Sequence, residues 1–244
     1  MKFALITGAS SGIGAATAIA FADAGWSVMA AGRNEARLEE VADVSENIST
    51  WAGDLEESAD CDELVADTVD EFGGIDCLVN SAAVLIRGTA EETSDDDWGD
   101  TIGLNLDIPF YLSRAAIPHL IESAGSIVNI ASYWGIRAGD RAVAYCASKG
   151  GLVMMTRAMA VDHAAAGVRI NAICPGAVDT PMLVAETEEQ GEDVDEFLDD
   201  VAAESPNRRI ATPEDVAGLV LFLASDSARH ITGTTIPIDG GLTA

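Results

Sequence analysis

Thr7-Gly8-Ala9-Ser10-Ser11-Gly12-Ile13-Gly14 follows the apolar run Phe3-Ala4-Leu5-Ile6 and opens a segment of helical period. Three glycines set between a strand and a helix read as a turn built to receive a dinucleotide. Gly8 allows the tight turn, Gly12 lets the backbone approach a pyrophosphate, and Gly14 permits close helix packing, while free N–H groups at the helix start hold negative charge. The spacing alone would equally suit a structural glycine-rich turn. Its place between a strand and a helix favours the dinucleotide.

Outward from this turn, short runs of β-branched and aliphatic residues alternate with longer segments of helical period, with no internal repeat. That alternation predicts βαβ units and a parallel sheet. Strands are expected at 3–6, 27–31, 48–52, 77–80, 126–130, 169–174 and 234–238. Helices are expected at 13–24, 35–44, 61–72, 97–121 (broken near Pro109), 143–165 and 213–224. No linker divides the chain, so residues 1–244 read as a single α/β domain. The segment 186–204 departs from the pattern, with ten acids in nineteen residues and an apolar stripe of Val194, Phe197, Leu198 and Val201. It reads either as a solvated surface helix or as part of a lid over a substrate, spanning about 182–205.

The 244 residues carry 13 Lys and Arg against 41 Asp and Glu, a net charge of −28. Such a surface repels nucleic-acid phosphates and anionic lipid, which sets both aside as partners. No apolar run approaches the roughly 20 residues of a membrane span, and the start of the chain lacks the cleavage site of a secretory signal. Cys61, Cys77, Cys146 and Cys174 form no CxxC pair and no metal-ligand spacing, which points to reduced thiols, a cytoplasmic location and no metal. With only Lys2 and Lys149 as lysines and acids spread over the whole chain, the composition points to a salt-rich cytosol, in which the self-repulsion is screened.

Tyr145 and Lys149 lie at i and i+4 on one expected helix, and so share a face. A nearby ammonium favours tyrosinate, which would bring the phenol from about 10 toward the working pH as an acid/base for an alcohol oxygen. Ser132, at the end of the fifth expected strand, can hold a carbonyl or hydroxyl in place.

Together TGASSGIG at 7–14, Tyr145-Cys146-Ala147-Ser148-Lys149 and a serine thirteen positions before that tyrosine resemble the short-chain dehydrogenase/reductase family. The resemblance runs over essentially the whole chain, through Asp54, Asn80, Asn105, Pro175-Gly176 and Ile238-Asp239-Gly240-Gly241. It implies a three-layer, doubly wound Rossmann fold with a seven-stranded parallel sheet, and an NAD(P)-dependent enzyme interconverting a secondary alcohol and a ketone. It also implies a homotetramer, formed through the long helices on one side and the C-terminal helix and strand on the other. The catalytic set it implies is Asn105, Ser132, Tyr145 and Lys149, with Asn105 binding a water that links the lysine to solvent. The cofactor set it implies is Gly8, Ser10, Ser11, Gly12, Ile13, Gly14, Arg33, Asp54, Leu55, Asn80, Ala82, Tyr145, Lys149, Pro175, Gly176, Val178 and Thr180. Within that set Asp54 would contact the adenine amino group and Thr180 the nicotinamide carboxamide. The family's NNAG appears here as Asn80-Ser81-Ala82-Ala83.

At the end of the second strand an acid would favour NAD(H) and an arginine NADP(H); the sequence there is Ala31-Gly32-Arg33-Asn34, so NADP(H) is favoured, with NAD(H) the alternative. The substrate is expected to be a small alcohol or ketone, the alternatives being a 3-oxoacyl thioester on carrier protein or coenzyme A, or a sugar or polyol. The alanine-rich stretch His163-Ala164-Ala165-Ala166-Gly167 and the acidic lid do not suit docking of an acidic carrier protein. Val84, Leu85, Trp134, Ile136 and Met182 are expected at the substrate pocket. Arg87, Arg137 and Arg141 read as counter-charges in an acidic protein.

Overall fold

Short apolar runs bounded by turn residues form seven strands, and the computed structural model, which describes residues 2–244, shows all of them parallel in one sheet. They are β1 (Phe3–Thr7), β2 (Ser27–Gly32), β3 (Ile48–Ala52), β4 (Cys77–Asn80), β5 (Ser126–Ile130), β6 (Arg169–Pro175) and β7 (Thr235–Ile238). Their spatial order is β3-β2-β1-β4-β5-β6-β7, with Ala4 opposite Val28 on one side and Cys77 on the other. The helices are α1 (Gly12–Asp23), α2 (Glu35–Ala42), α3 (Ser58–Phe72), α4 (Asp95–Ile102), α5 (Ile108–Ser123), α6 (Val143–His163), α7 (Pro181–Glu189), α8 (Val194–Glu204) and α9 (Pro213–Ala224).

Alternate strand residues point to opposite faces, which divides the core into two layers. On one side Ala4, Ile6, Val28, Ala30, Val79 and Val128 pack against Phe21 of α1, Leu38 of α2 and Val220 of α9. On the other, Leu5, Met29, Leu78, Ile127 and Ile170 meet Leu64 of α3, Leu112 of α5 and Met159 of α6. Both faces of the sheet are thereby covered, as parallel strands require. The doubly wound three-layer architecture is the expected one, and each strand begins and ends within a residue of its expected bounds.

Two local departures have physical causes. The expected break near Pro109 is a π-helical turn, Gly103–Asp107, joining α4 to α5. Pro109 has no N–H to offer the Asn105 carbonyl four residues earlier and its ring crowds that carbonyl, so the wider turn falls just before it. Helix α7 falls in a stretch without apolar period; it starts because the Thr180 hydroxyl accepts from the Leu183 N–H at 3.4 Å and Pro181 occupies the first turn, where no N–H is needed.

Strand order reverses between β1 and β4, and this switch point is where a doubly wound sheet leaves a crevice at its carboxyl edge. No helix is long and apolar enough to cross a membrane.

Among the described residues only five carboxylates, on Asp54, Glu92, Glu186, Asp215 and Asp226, stand within ion-pair distance of a cation. Most of the 41 acids therefore face water and each other. Thermal stability is expected to rise steadily from 0.1 to 2 M KCl as this repulsion is screened. A Tm independent of KCl would contradict the expectation.

Candidate active site

The glycine turn is held shut from behind. Gly8 has φ +67°, and a Cβ there would lie 2.8 Å from the Ala82 nitrogen, so β1 ends directly against the segment that follows β4. A Cβ on Gly14 would run into the Gly8 carbonyl oxygen, which places the first turn of α1 hard against the end of β1. The Thr7 hydroxyl accepts from the backbone N–H groups of Ser81 and Ala82, both at 3.2 Å, and fixes the other side of the switch point.

These contacts leave α1 aimed into a cavity of about 1060 Å³. No side chain caps the helix start at Ser11, so its first N–H groups are available to an anion. At one end the cavity is walled by Gly32, Arg33, Asn34, Arg37, Asp54 and Leu55. Arg33 is largely exposed and its Nε lies 3.9 Å from Asp54 Oδ1. At the other end stand Ser132, Tyr145 and Lys149, with Pro175, Gly176, Val178 and Thr180 between. Ser10, Ser11, Ile13 and Ala82 complete the wall beside the glycines. A long cavity running from two arginines past a free helix N-terminus to a buried tyrosine and lysine fits an extended dinucleotide.

Two residues of the expected set are not on that wall. Asn80 is buried between strands, where its Nδ2 donates to Asn129 Oδ1 at 2.8 Å and to Ser113 Oγ at 3.4 Å. Its side chain joins β4, β5 and α5 rather than meeting a ligand directly. Asn105 is fully buried in the π turn. Its Oδ1 accepts from the Val84 N–H at 2.9 Å, and its Nδ2 donates to the Val84 carbonyl at 2.8 Å and to Ser148 Oγ at 3.2 Å, so the side chain is taken up in tethering the loop after β4. Its main-chain carbonyl faces Pro109 four residues on, which has no N–H to donate to it. Of the expected pocket residues, Leu85, Trp134 and Met182 line the cavity, whereas Val84 and the exposed Ile136 do not.

The electrostatics of the reactive pair differ from the expectation. Tyr145 is 8% exposed and Lys149 2%. Burial raises the Tyr145 phenol well above its ordinary value, and a hydrogen bond from Ser132 opposes this only in part. Burial lowers the Lys149 ammonium to about 8. Burial thus disfavours the charged form of both groups, and the phenol moves away from the working pH rather than toward it. Near neutral pH the pair is instead a charged lysine and a neutral phenol, a proton donor. The Lys149 ammonium lies 5.7 Å from the centre of the Tyr145 ring and donates to the Ile130 carbonyl at 2.9 Å, its one acceptor among the described residues. Its other two N–H donors are open to ligand hydroxyls on the cavity side.

Among the wall residues that escaped the sequence reading are three with charge, Arg37, Glu186 and Glu204. Glu186 was legible only as the first acid of a charge run. The structure buries it beside the catalytic end, paired with Arg87, whereas Arg141 pairs with Glu92 at 2.9 Å in the counter-charge role.

A doubly wound sheet, a glycine turn against an uncapped helix and a Ser-Tyr-Lys group at one end of the cavity define a nucleotide-dependent oxidoreductase. A family profile described as enoyl-(acyl carrier protein) reductase matches residues 8–243. The chain is 39% identical to a 3beta-hydroxysteroid dehydrogenase of Mediterraneibacter gnavus, over 99% of this chain and 95% of that one. It is 38% identical to a meso-2,3-butanediol dehydrogenase of Serratia marcescens, over 100% and 95%. A crystal structure of a single-substitution variant of actinorhodin polyketide ketoreductase with NADPH superposes with a TM-score of 0.94 at 32% identity, covering 99% of this chain and 97% of that one. The protein belongs to the short-chain dehydrogenase/reductase family, NAD(P)-dependent oxidoreductases acting on hydroxyl and keto groups.

The buried ammonium has a measurable cost. The native state gives up the Lys149 proton near pH 8, the unfolded chain near 10.4. Below 8 the native state bears the whole cost of the buried charge, and stability recovers as pH rises from 8 to 10.4. Lys149→Met is expected to raise Tm at pH 7 by several degrees, with the gap narrowing at pH 10, and to cut turnover at least about 100-fold. Melting curves at the two pH values check this; a variant less stable at pH 7 would contradict it.

Proposed function

We propose that the protein is an NADP(H)-dependent oxidoreductase that interconverts a small secondary alcohol and its ketone, with Tyr145 as the acid/base. The observation that carries this reading is the convergence of Ser132, Tyr145 and Lys149 on one end of the cavity whose other end holds Arg33 and Arg37. The nicotinamide ring supplies or accepts the hydride. Tyr145 donates its proton to the carbonyl oxygen during reduction and takes it back during oxidation. The Ser132 hydroxyl, whose oxygen accepts from the Trp134 N–H at 3.1 Å, turns its own hydrogen from the Tyr145 phenol to that carbonyl when the substrate binds. Lys149 holds ribose hydroxyls with its two open donors and stabilises the phenolate formed in the reaction. The Asn105 carbonyl holds a water that returns protons from solvent.

Toward the cofactor, the first N–H groups of α1, framed by Gly8, Ser10, Ser11, Gly12, Ile13 and Gly14, take the pyrophosphate. Arg33, aided by Arg37, would take the 2′-phosphate, a charge-assisted contact that NAD(H) would lack. Asp54 and Leu55 hold the adenine, Ala82 backs its ribose, Asn80 supports that wall from inside the sheet, and Pro175, Gly176, Val178 and Thr180 hold the nicotinamide carboxamide end. Helices α7 and α8 act as a lid over 182–205: Met182, Leu183, Phe197 and Val201 face the cavity from them.

Likeness to a 3-oxoacyl-[acyl-carrier-protein] reductase of Thermotoga maritima, 35% identical over 99% of this chain, supports a second reading, reduction of a 3-oxoacyl thioester. Glu186 and Glu204 at the cavity and the −28 charge oppose docking of an acidic carrier protein, which leaves a free coenzyme A thioester as its best form. We further place the protein in a salt-rich cytosol and assign it a homotetramer, four 25.3 kDa chains, the mass light scattering would read. Exposed Phe110 and Ile121 of α5, Met154 and Val161 of α6 and Phe222 of α9 support both interfaces.

NADP+ should give the higher kcat/KM, and Arg33→Ala should lower that value at least about tenfold without affecting NAD+. Tyr145→Phe should lose turnover by about 10²–10⁴-fold while binding NADPH normally. A higher kcat/KM with NAD+, or a Tyr145→Phe variant of full activity, would overturn the assignment.

A further inference from the structure

The catalytic end of the cavity contains a buried carboxylate that the reaction above does not use. Glu186 is 9% exposed, sits on α7 and lines the same cavity as Ser132 and Tyr145. Its Oε1 accepts two hydrogen bonds from Arg87, one from Nε at 2.7 Å and one from a terminal guanidinium nitrogen. No hydrogen bond among the described residues reaches its Oε2.

Arg87, in turn, is held by the protein at all three of its nitrogens. Its remaining terminal nitrogen donates to the Asp140 carbonyl at 2.6 Å, and its guanidinium plane lies 4.6 Å from the centre of the Trp134 ring. Trp134 itself meets the Tyr145 ring edge-on, with centroids 6.0 Å apart. The arginine is therefore a fixed bracket between the catalytic tyrosine's neighbour and the lid, and it holds Glu186 in one orientation. The Glu186 charge is close enough to bear on the Tyr145 phenol. A residue this buried, with one carboxylate oxygen free of protein donors on the cavity wall, has an acceptor that a ligand excluding water from the cavity must satisfy.

Resting on the alcohol/ketone reading above, we infer that Glu186 is a specificity residue: its Oε2 accepts a hydrogen bond from a second hydroxyl of the substrate, so the enzyme selects diols, polyols and hydroxyketones over simple alcohols and ketones. A site built to accept from a hydroxyl rejects the analogue that lacks it, because the buried acceptor is then left unpaired. An anionic substrate meets the same carboxylate as a repulsion.

The test uses 2-butanone, 3-hydroxy-2-butanone and 4-hydroxy-2-butanone with NADPH in high KCl, for the wild type and for Glu186→Gln. Glutamine keeps size and an oxygen for Arg87 but turns an N–H₂ toward the ligand. In the wild type the better hydroxyketone should exceed 2-butanone in kcat/KM at least about tenfold. In Glu186→Gln that ratio should collapse toward one, through a higher KM for the hydroxyketone. A wild type with no such preference, or a variant that loses all three ketones alike with the ratio intact, overturns the inference; the latter marks Glu186 as a latch for α7 only. A readout without turnover separates it from the functional reading. Titration of the NADP+ complex with 2,3-butanediol and with 2-butanol, followed by tryptophan fluorescence, should show tighter diol binding that Glu186→Gln abolishes. Absence of turnover with that preference intact sinks the alcohol/ketone reading, and absence of the preference sinks the role of Glu186.

Discussion

Everything in this protein that bears on a ligand depends on one close backbone approach. The end of β1 lies against the segment after β4 so tightly that Gly8 has no room for a side chain, and the first turn of α1 lies equally tightly on the Gly8 carbonyl. Because β1 and β4 are neighbours whose crossovers leave in opposite directions, their carboxyl ends open a crevice, and the packing at Gly8 and Gly14 aims an uncapped helix terminus into it. An anion bound there meets N–H groups fixed by the core rather than by flexible side chains. The wall proposed to carry the reaction, from Ser132 at the end of β5 to Tyr145 and Lys149 on α6, is set by the same sheet.

The second constraint is electrostatic. A charged lysine inside a protein costs stability, and a buried phenol resists ionisation. The two costs are not relieved by each other here, since Lys149 titrates near 8 and the phenol far above it. The arrangement is a strained resting state whose lysine has one protein acceptor and two donors open to the cavity. Ligand hydroxyls, and in the proposed mechanism the negative charge on Tyr145, are what such an ammonium lacks. In that mechanism function and instability have a common origin in this pair.

Much of the fold was legible because parallel strands covered on both faces must be apolar throughout, as Ile127-Val128-Asn129-Ile130 is, and because the glycine turn stands between the first strand and helix. The Ser132, Tyr145 and Lys149 set was legible from spacing. The rest depended on tertiary packing. Asn80 and Asn105 have the residue types of ligands, yet neighbours that are distant in sequence, Asn129 and Ser148 among them, engage the Asn80 amide nitrogen and the whole Asn105 side chain. The sign of the Tyr145 shift follows from burial, which spacing does not encode. Glu186 lies ninety-nine residues from Arg87, and within a run of acids nothing distinguishes the one that folding buries.

Cofactor affinity of Gly14→Ala tests the central claim most directly, because it adds a single methyl group where α1 meets the Gly8 carbonyl and touches none of the reacting groups. Titrated with NADPH by fluorescence, alongside far-ultraviolet circular dichroism to confirm the fold, the variant should keep its secondary structure and bind at least about 100-fold more weakly, since the helix terminus can no longer sit on the turn. A folded variant with the Kd of the wild type would contradict the account.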